Sequence, residues 1–355
     1  MITLARLPLL LFGAWWRALP PPATAFVVPA PSASTLPTQF ADTPLSEAGT
    51  PAYGPSLARL SAGGIAAAWL QASPDRPLQT TVRLAFWNGH QWSPPRIIVD
   101  RRLLAMGGKS QVQTMGPPRL FEQDGRLHLW LSGQSAWGSS RLYHLASDDR
   151  GENWSPPELL PTSPLFNLGS RDPMPPLALA DGGVGLPTSH ALFSRHGEWL
   201  RFDAHGQLID KARMSHGASA QAPQPVALDG QGAVALLRDA DDNKTLHTVS
   251  TRDGGARWQA VENTAPPAST ASLALLRLAS GSLLLAAHAA DGVSLWVSAD
   301  DGRQWRRTRS LNVSAPAELA LAQGSDGQIH LVAGTPAQGL RHLRFSEAWL
   351  QEPQR

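Results

Sequence analysis

The sequence predicts an all-β protein, a six-bladed β-propeller of four-stranded antiparallel blades. Two repeating patterns and the composition predict it. The pattern Ser/Thr-x-Asp-x-Gly-x-x-Trp occurs at Ser147–Trp154, Thr251–Trp258 and Ser298–Trp305. A second pattern, an apolar strand bearing Pro or Ser, a Gly turn and an alternating strand, occurs six times. Its units recur roughly every 50 residues, the length of a propeller blade. The 355 residues hold 31 Gly and 31 Pro to punctuate hairpins, and 42% hydrophobic residues to fill a core. Thirteen Trp against two Tyr is an unusual ratio.

The N-terminus is expected to be an address and not part of the fold. Met1–Arg6 is short and basic, Leu7–Trp16 is apolar, and Ala23-Thr24-Ala25 offers a small-x-small cleavage site. The apolar run falls well short of the ~20 residues needed to span a bilayer. Residues 1–25 are therefore expected to be a signal peptide, with an uncleaved N-terminal anchor as the alternative. The protein is then exported, periplasmic or extracellular, with no stable membrane span after cleavage. Residues 26–50, rich in Pro, Ala, Ser and Thr, are expected to be a linker. Part of it, within Thr38–Leu45, is expected to supply the strand that completes the last blade.

Residues 51–350 are expected to form the propeller, with 351–355 as a tail. First strands carry Pro55, Pro118, Pro175, Pro225, Ser272 and Pro316, and the turn glycines are Gly64, Gly125, Gly183, Gly230, Gly281 and Gly327. Each unit then adds a second hairpin, and the Asp-bearing motif sits at its turn. There the Ser/Thr and Asp side chains bond to nearby backbone groups, Gly takes a positive φ and Trp folds into the core. The role of these aspartates is structural. A stripped copy, Gly89-x-x-Trp92, serves the first blade, and a decayed one near Trp199–Gly206 the third. Radial closure protects edges that a solenoid of the same period would expose.

Composition excludes several chemistries. A formal charge of +2 gives no field suited to nucleic acid. The absence of Cys removes thiolate nucleophiles and cysteine zinc sites. Lys109, Lys211 and Lys244 are the only lysines, so Arg is left to bind any carboxylate. No metal is expected, because the His residues lack metal-binding spacing and Asp239-x-Asp241-x-Asn243 has Lys244 where a calcium loop needs Gly. No cofactor is expected, and there is no phosphate loop or G-x-S-x-G elbow.

A propeller binds ligands at one end of its channel. First strands begin and second strands end at that face, so Tyr53, Asp75, Arg171, Asp172, His190, Gln224, Arg238 and Asp239 are candidate site residues, with Arg76, Gln113 and His288 nearby. Arg171 and Arg238 lead, because two guanidiniums can clamp a carboxylate bidentately, and Asp172 and Asp239 stand beside them.

These residues resemble the sialidase (neuraminidase) superfamily, in particular bacterial exo-sialidase-like proteins with Asp-box repeats. The resemblance runs from about Tyr53 to Leu350. It rests on the Asp boxes, Phe166-Asn167-Leu168 before Arg171 and Pro173, Gln224-Pro225, Leu236-Leu237-Arg238-Asp239, and Arg341-His342 through Glu347-Ala348-Trp349-Leu350. It implies a metal-free exo-glycosidase with an arginine cluster for the sugar carboxylate, a Tyr nucleophile paired with Glu, and an Asp acid/base. On it, Tyr53 is the nucleophile, Asp75 the acid/base, and Arg171, Asp172, His190, Gln224, Arg238 and Asp239 bind a sialic-acid-like glycan. The chain departs from the pattern at Val313-Ser314-Ala315-Pro316, where relatives carry Tyr, and at His190-Ala191, where they carry His-Glu. Two readings stay open here: a sialidase-type glycoside hydrolase, and a catalytically inactive propeller that binds an acidic glycan or a protein partner.

Overall fold

The computed structural model describes residues 24–352, apart from position 48 and segments 74–75, 109–110, 136–138, 163–168, 192–193, 216–218, 240, 242–244, 263, 267–271, 290–291, 314–317 and 336–338. Six antiparallel sheets form the expected six-bladed propeller. Blade I runs Ala52–Arg59, Ile65–Ser73, Arg76–Trp87 and Arg96–Asp100 from the channel outward. In blade II the inner strand is broken into Thr114–Met115 and Arg119–Gln123, followed by Arg126–Gln134, Ser140–Ser147 and Glu158–Leu159. Blade III likewise has two inner pieces, Ser170–Arg171 and Leu177–Ala178, then Val184–Ala191, Arg195–Phe202 and Leu208–Arg213. Blade IV holds Ala220–Ala227, Ala233–Asp239, Leu246–Thr251 and Gln259–Val261. Blade V holds Leu273–Arg277, Leu283–Ala289, Gly292–Ser298 and Arg306–Leu311.

Blade VI contains Glu318–Gln323, Ile329–Thr335 and Gly339–Phe345, and its outer strand is Phe40–Pro44 from the other end of the chain. Asp42 lies opposite Leu343 in the register, and its side chain pairs with Arg341. A short helix, Glu347–Gln351, clasps the join: Ser346 caps it by accepting from Trp349 N at 3.2 Å. Trp349 then stacks on Phe40 at 4.9 Å and takes the Arg309 guanidinium over its ring at 4.4 Å.

The alternating strands bury side chains on both faces, so every blade interface has its own apolar cluster. Leu70 and Leu129 meet between I and II, Leu142 and Leu200 between II and III, and Trp199 and Trp258 between III and IV. Leu236 and Leu285 serve IV–V, Leu284 and Phe345 V–VI, and Trp69 and Val332 the closing interface of VI with I. No helix among the described residues is long and apolar enough to cross a membrane.

The Asp boxes form the turns between third and fourth strands. Ser147 Oγ donates to Asp149 at 2.9 Å and accepts from Gly151 N at 2.7 Å, while Asp149 accepts from Asn153 N at 2.9 Å. The Thr251 and Ser298 copies repeat this set. The Asn153 amides, then Ser147, hold Asp149 down at about 2. These carboxylates are occupied by their own turns. In blade III, Asp203 keeps the turn by accepting from His205 N and Gln207 N, and in blade I Asn88 does so for His90 and Gln91.

Residues 25–39 cross the Asp-box face before joining blade VI. Phe26 is buried against Trp199, its N–H donating to Gly230 O at 2.7 Å. Ala180 N donates to Ala25 O, Ser32 N to Ala279 O, and Leu36 lies over Gly327. The strap thus touches the inner hairpin turns of blades III, IV, V and VI in sequence.

Candidate functional site

The opposite face is where the inner strands enter, and three of them kink there in the same way. Gly54, Asp172 and Ala222 have φ of 63°, 49° and 52°, and each precedes a proline. Register slips at Tyr53/Ser56 and Gln221/Gln224, and blade II breaks at Gly116-Pro117-Pro118. Proline cannot donate to the ladder, so the strand is free to bend at this point. At Gly54 the tight approach of Pro117, 2.8 Å from a notional Cβ, excludes a side chain. Asp172 and Ala222 hold the left-handed region without being glycine, a strain that tends to collect at functional sites.

The kinks surround a charged cluster. Arg119, buried, donates from Nε to Pro173 O at 2.8 Å and from one terminal nitrogen to Pro55 O and Pro118 O at 3.3 Å each. Its other terminal nitrogen lies 4.0 Å from Glu318 Oε2. Glu318 keeps 34% side-chain exposure, yet Oε2 itself is shielded and has no hydrogen-bond partner. Burial pushes its carboxyl up; Arg119 and Arg238 pull it down and Asp172 raises it further. Tyr53, half-buried on blade I, bonds to Thr80; burial raises its hydroxyl, and the Glu318 charge adds to that. Arg171 Nε stands 3.4 Å from Asp172 Oδ2.

The structure therefore groups Tyr53, Arg171, Asp172 and Arg238 around Arg119 and Glu318, neither of which was singled out in the sequence. Each is a charge inside an inner strand just after a proline, Arg119 following Pro118 and Glu318 two residues past Pro316. That placement is the signal that could have found them. Asp75 lies outside the described residues. Gln224 is buried in blade IV at 5% exposure. Asp239 pairs with His247 at 2.9 Å and accepts from Asp241 N.

His190 belongs to a neighbouring cluster on blade III. Glu198, 2% exposed, receives Lys211 Nζ at 2.7 Å and Ser170 Oγ at 2.7 Å, with His190 Nδ1 at 3.1 Å and His196 Nε2 at 3.5 Å. Burial opposes its charge, but the hydrogen bonds from His196, Lys211 and Ser170 prevail and bring it down to about 2. His190, His196 and Glu198 bring ligand atoms within 4.8 Å of one another. The two imidazoles stack at 4.5 Å and 22°. The Lys211 ammonium, 2.7 Å from Glu198 Oε1, pairs with the carboxylate that this group would offer a cation. Two cavities of about 390 and 400 Å³ lie elsewhere, on the outer strands of blade IV, the second reaching Asp301–Arg303 of blade V; they share Thr248, Val261 and Thr264. They include none of the charged residues of the channel mouth, so charge, not volume, selects the mouth as the site.

Fold and mouth together define a sialidase-like propeller with an arginine-rich entrance to its channel. Residues 63–336 match the model of the BNR repeat-like domain, and the chain belongs to that family. No match is found among the curated proteins. Among solved structures, a Dyadobacter fermentans protein of unknown function superimposes with a TM-score of 0.70 at 15% identity, covering 86% of this chain and 97% of that one. A Hadza microbial sialidase gives 0.67 at 14% identity, covering 84% of this chain and 66% of its own. The intramolecular trans-sialidase of Ruminococcus gnavus, solved with oseltamivir carboxylate, gives 0.61 at 13%, covering 84% and 95%. At such identities the likeness is one of fold.

Proposed function

We propose that the protein is an exported sialidase-like glycoside hydrolase acting on a terminal sialic acid or a related acidic sugar. The observation that carries this reading is the charge at one mouth: Arg119, Arg171 and Arg238 against Asp172 and Glu318. Arg119 directs Nε and one terminal nitrogen to backbone carbonyls, and Arg171 and Arg238 would hold the sugar carboxylate. Tyr53 Oη would bond to the anomeric carbon as the glycosidic C–O bond breaks, its proton passing to Glu318. Asp75 would protonate the departing oxygen, and water would then release the sugar with the protons returned. The basic start, apolar run and small-x-small Ala23-Thr24-Ala25 support export.

Hydrolysis of a fluorogenic sialoside tests the reading. Tyr53→Phe is expected to abolish turnover and Tyr143→Phe, deep in the blade I–II core, to retain it. An absence of turnover on every acidic glycoside would overturn the enzymatic reading. A second reading, an inactive propeller that binds the same sugars, is favoured by the raised Tyr53 hydroxyl, since an attacking phenol is helped by the opposite shift. It predicts calorimetric binding without cleavage, lost in Arg171→Ala.

A further inference from the structure

Arg119 occupies a place that neither a clamp nor an ordinary core residue would take. Its fork reaches the carbonyls of Pro55, Pro118 and Pro173, the prolines that follow or end the kinks of blades I, II and III. Those kinks follow directly upon Tyr53, Met115 and Arg171. One guanidinium therefore fixes the height at which three successive inner strands enter the mouth. The neighbouring contacts tighten the arrangement: Leu120 N donates to Ser56 Oγ at 2.9 Å across blades I and II, and Met174 Sδ lies 3.9 Å from the remaining Arg119 nitrogen. That same nitrogen faces the partnerless Glu318 Oε2, the only counter-charge within 4.0 Å among the described residues. A buried guanidinium is retained only when its donors are met, and the planar fork reaches three carbonyls from two separate nitrogens, a spread that the single nitrogen of an ammonium does not match.

We propose that Arg119 is the positioning residue of the mouth: it sets Tyr53 and Arg171 relative to each other through the three kinks, and it sets the charge of Glu318 opposite. This rests on the mouth being the binding site for an acidic sugar. The two roles come apart in two variants. Arg119→Lys keeps the charge and loses the fork; Arg119→Gln loses both. The groups facing Glu318 are Tyr53 from blade I, Arg119 from blade II, Asp172 from blade III and Arg238 from blade IV, and only Arg119 changes.

The experiment combines a carbon-13 NMR titration of the Glu318 carboxyl, assigned by its loss in Glu318→Gln, with calorimetric binding of free sialic acid across pH. In Arg119→Gln the Glu318 midpoint is expected to rise by about one unit or more, as for a carboxylate that loses a guanidinium neighbour. In Arg119→Lys the midpoint is expected to stay near wild type. Both variants are expected to lose affinity by roughly 10- to 100-fold, the scale of an ångström-sized misplacement. Affinity within twofold of wild type in Arg119→Lys, or an unmoved midpoint in Arg119→Gln, would overturn the proposal. Should Arg119→Gln fail to fold, Arg119→Lys decides by pairing an unmoved midpoint with lost affinity; a moved midpoint counts against it. Wild-type protein that binds no acidic sugar would sink the functional reading instead, and the Glu318 midpoints would still judge Arg119.

Discussion

Ala222 shows what a single residue pays for the shape of the mouth. It holds a φ of 52° on blade IV, with its N–H bonded to Ser189 Oγ at 2.9 Å and the next residue proline. A β-carbon in the left-handed region is disfavoured by ~1–2 kcal/mol, and glycine removes that penalty. Ala222→Gly is therefore expected to raise stability by up to about 1 kcal/mol after the larger chain entropy of glycine is counted. Denaturant midpoints of the two proteins check this; a destabilised Ala222→Gly would mean that the methyl packs usefully. The mouth was only partly legible in the sequence for a related reason. Tyr53, Arg171 and Arg238 could be placed by strand order alone. Arg119 and Glu318 come from blades II and VI and acquire meaning only when the ring closes, and the left-handed φ before Pro223 leaves no mark in residue type at Ala222.

At the scale of the element, the Asp-box hairpins were the most legible part of the chain because their chemistry is local. Every bond in the Ser298 copy joins residues at most four apart, so spacing alone carries the conformation. Ser298→Ala should cost about 1 kcal/mol by leaving Gly302 N without its buried acceptor. Sialic acid binding should be untouched, because the turn lies on the far face. Thermal unfolding together with calorimetry separates the two effects, and a loss of binding would argue against the assigned faces. The strap at residues 25–39 is the contrary case. Its composition suggested a tether, and composition cannot reveal that Phe26 meets Gly230, Leu179 and Trp199, partners set by distant blades.

For the molecule as a whole, acid is the expected enemy. His330 and His342 are buried in blade VI with Nδ1 of one 2.8 Å from Nε2 of the other, and Trp92 Nε1 donates to the remaining nitrogen of His342 at 3.0 Å. Neutral His342 must then carry its proton on Nε2, and an added proton would face a donor. Burial holds His330 down at about 4 and His342 at about 3, with the blade II pair His128 and His144 at about 4 and 3 for the same reason. The sign follows from linkage. Unfolded histidines bind protons near pH 6.5 and the folded ones do not, so stability is complete above pH 6.5 and drains away between there and pH 3–4. Each unit of depression is worth ~1.4 kcal/mol, so the loss should reach several kcal/mol. Denaturant midpoints from pH 7.5 to 4.5 measure it, and a flat profile would show that the pairs open without penalty.

Closure through Phe40–Pro44 also dictates an order of events in time. Asp42 waits for Arg341, 299 residues further along, before the outer edge of the last blade can form. Until then one strand near the front of the chain and three near its end remain open-edged and sticky. So distant a pairing is expected to make the final docking slow, and stopped-flow refolding of Asp42→Ala, which weakens the join, should show that phase slowed further.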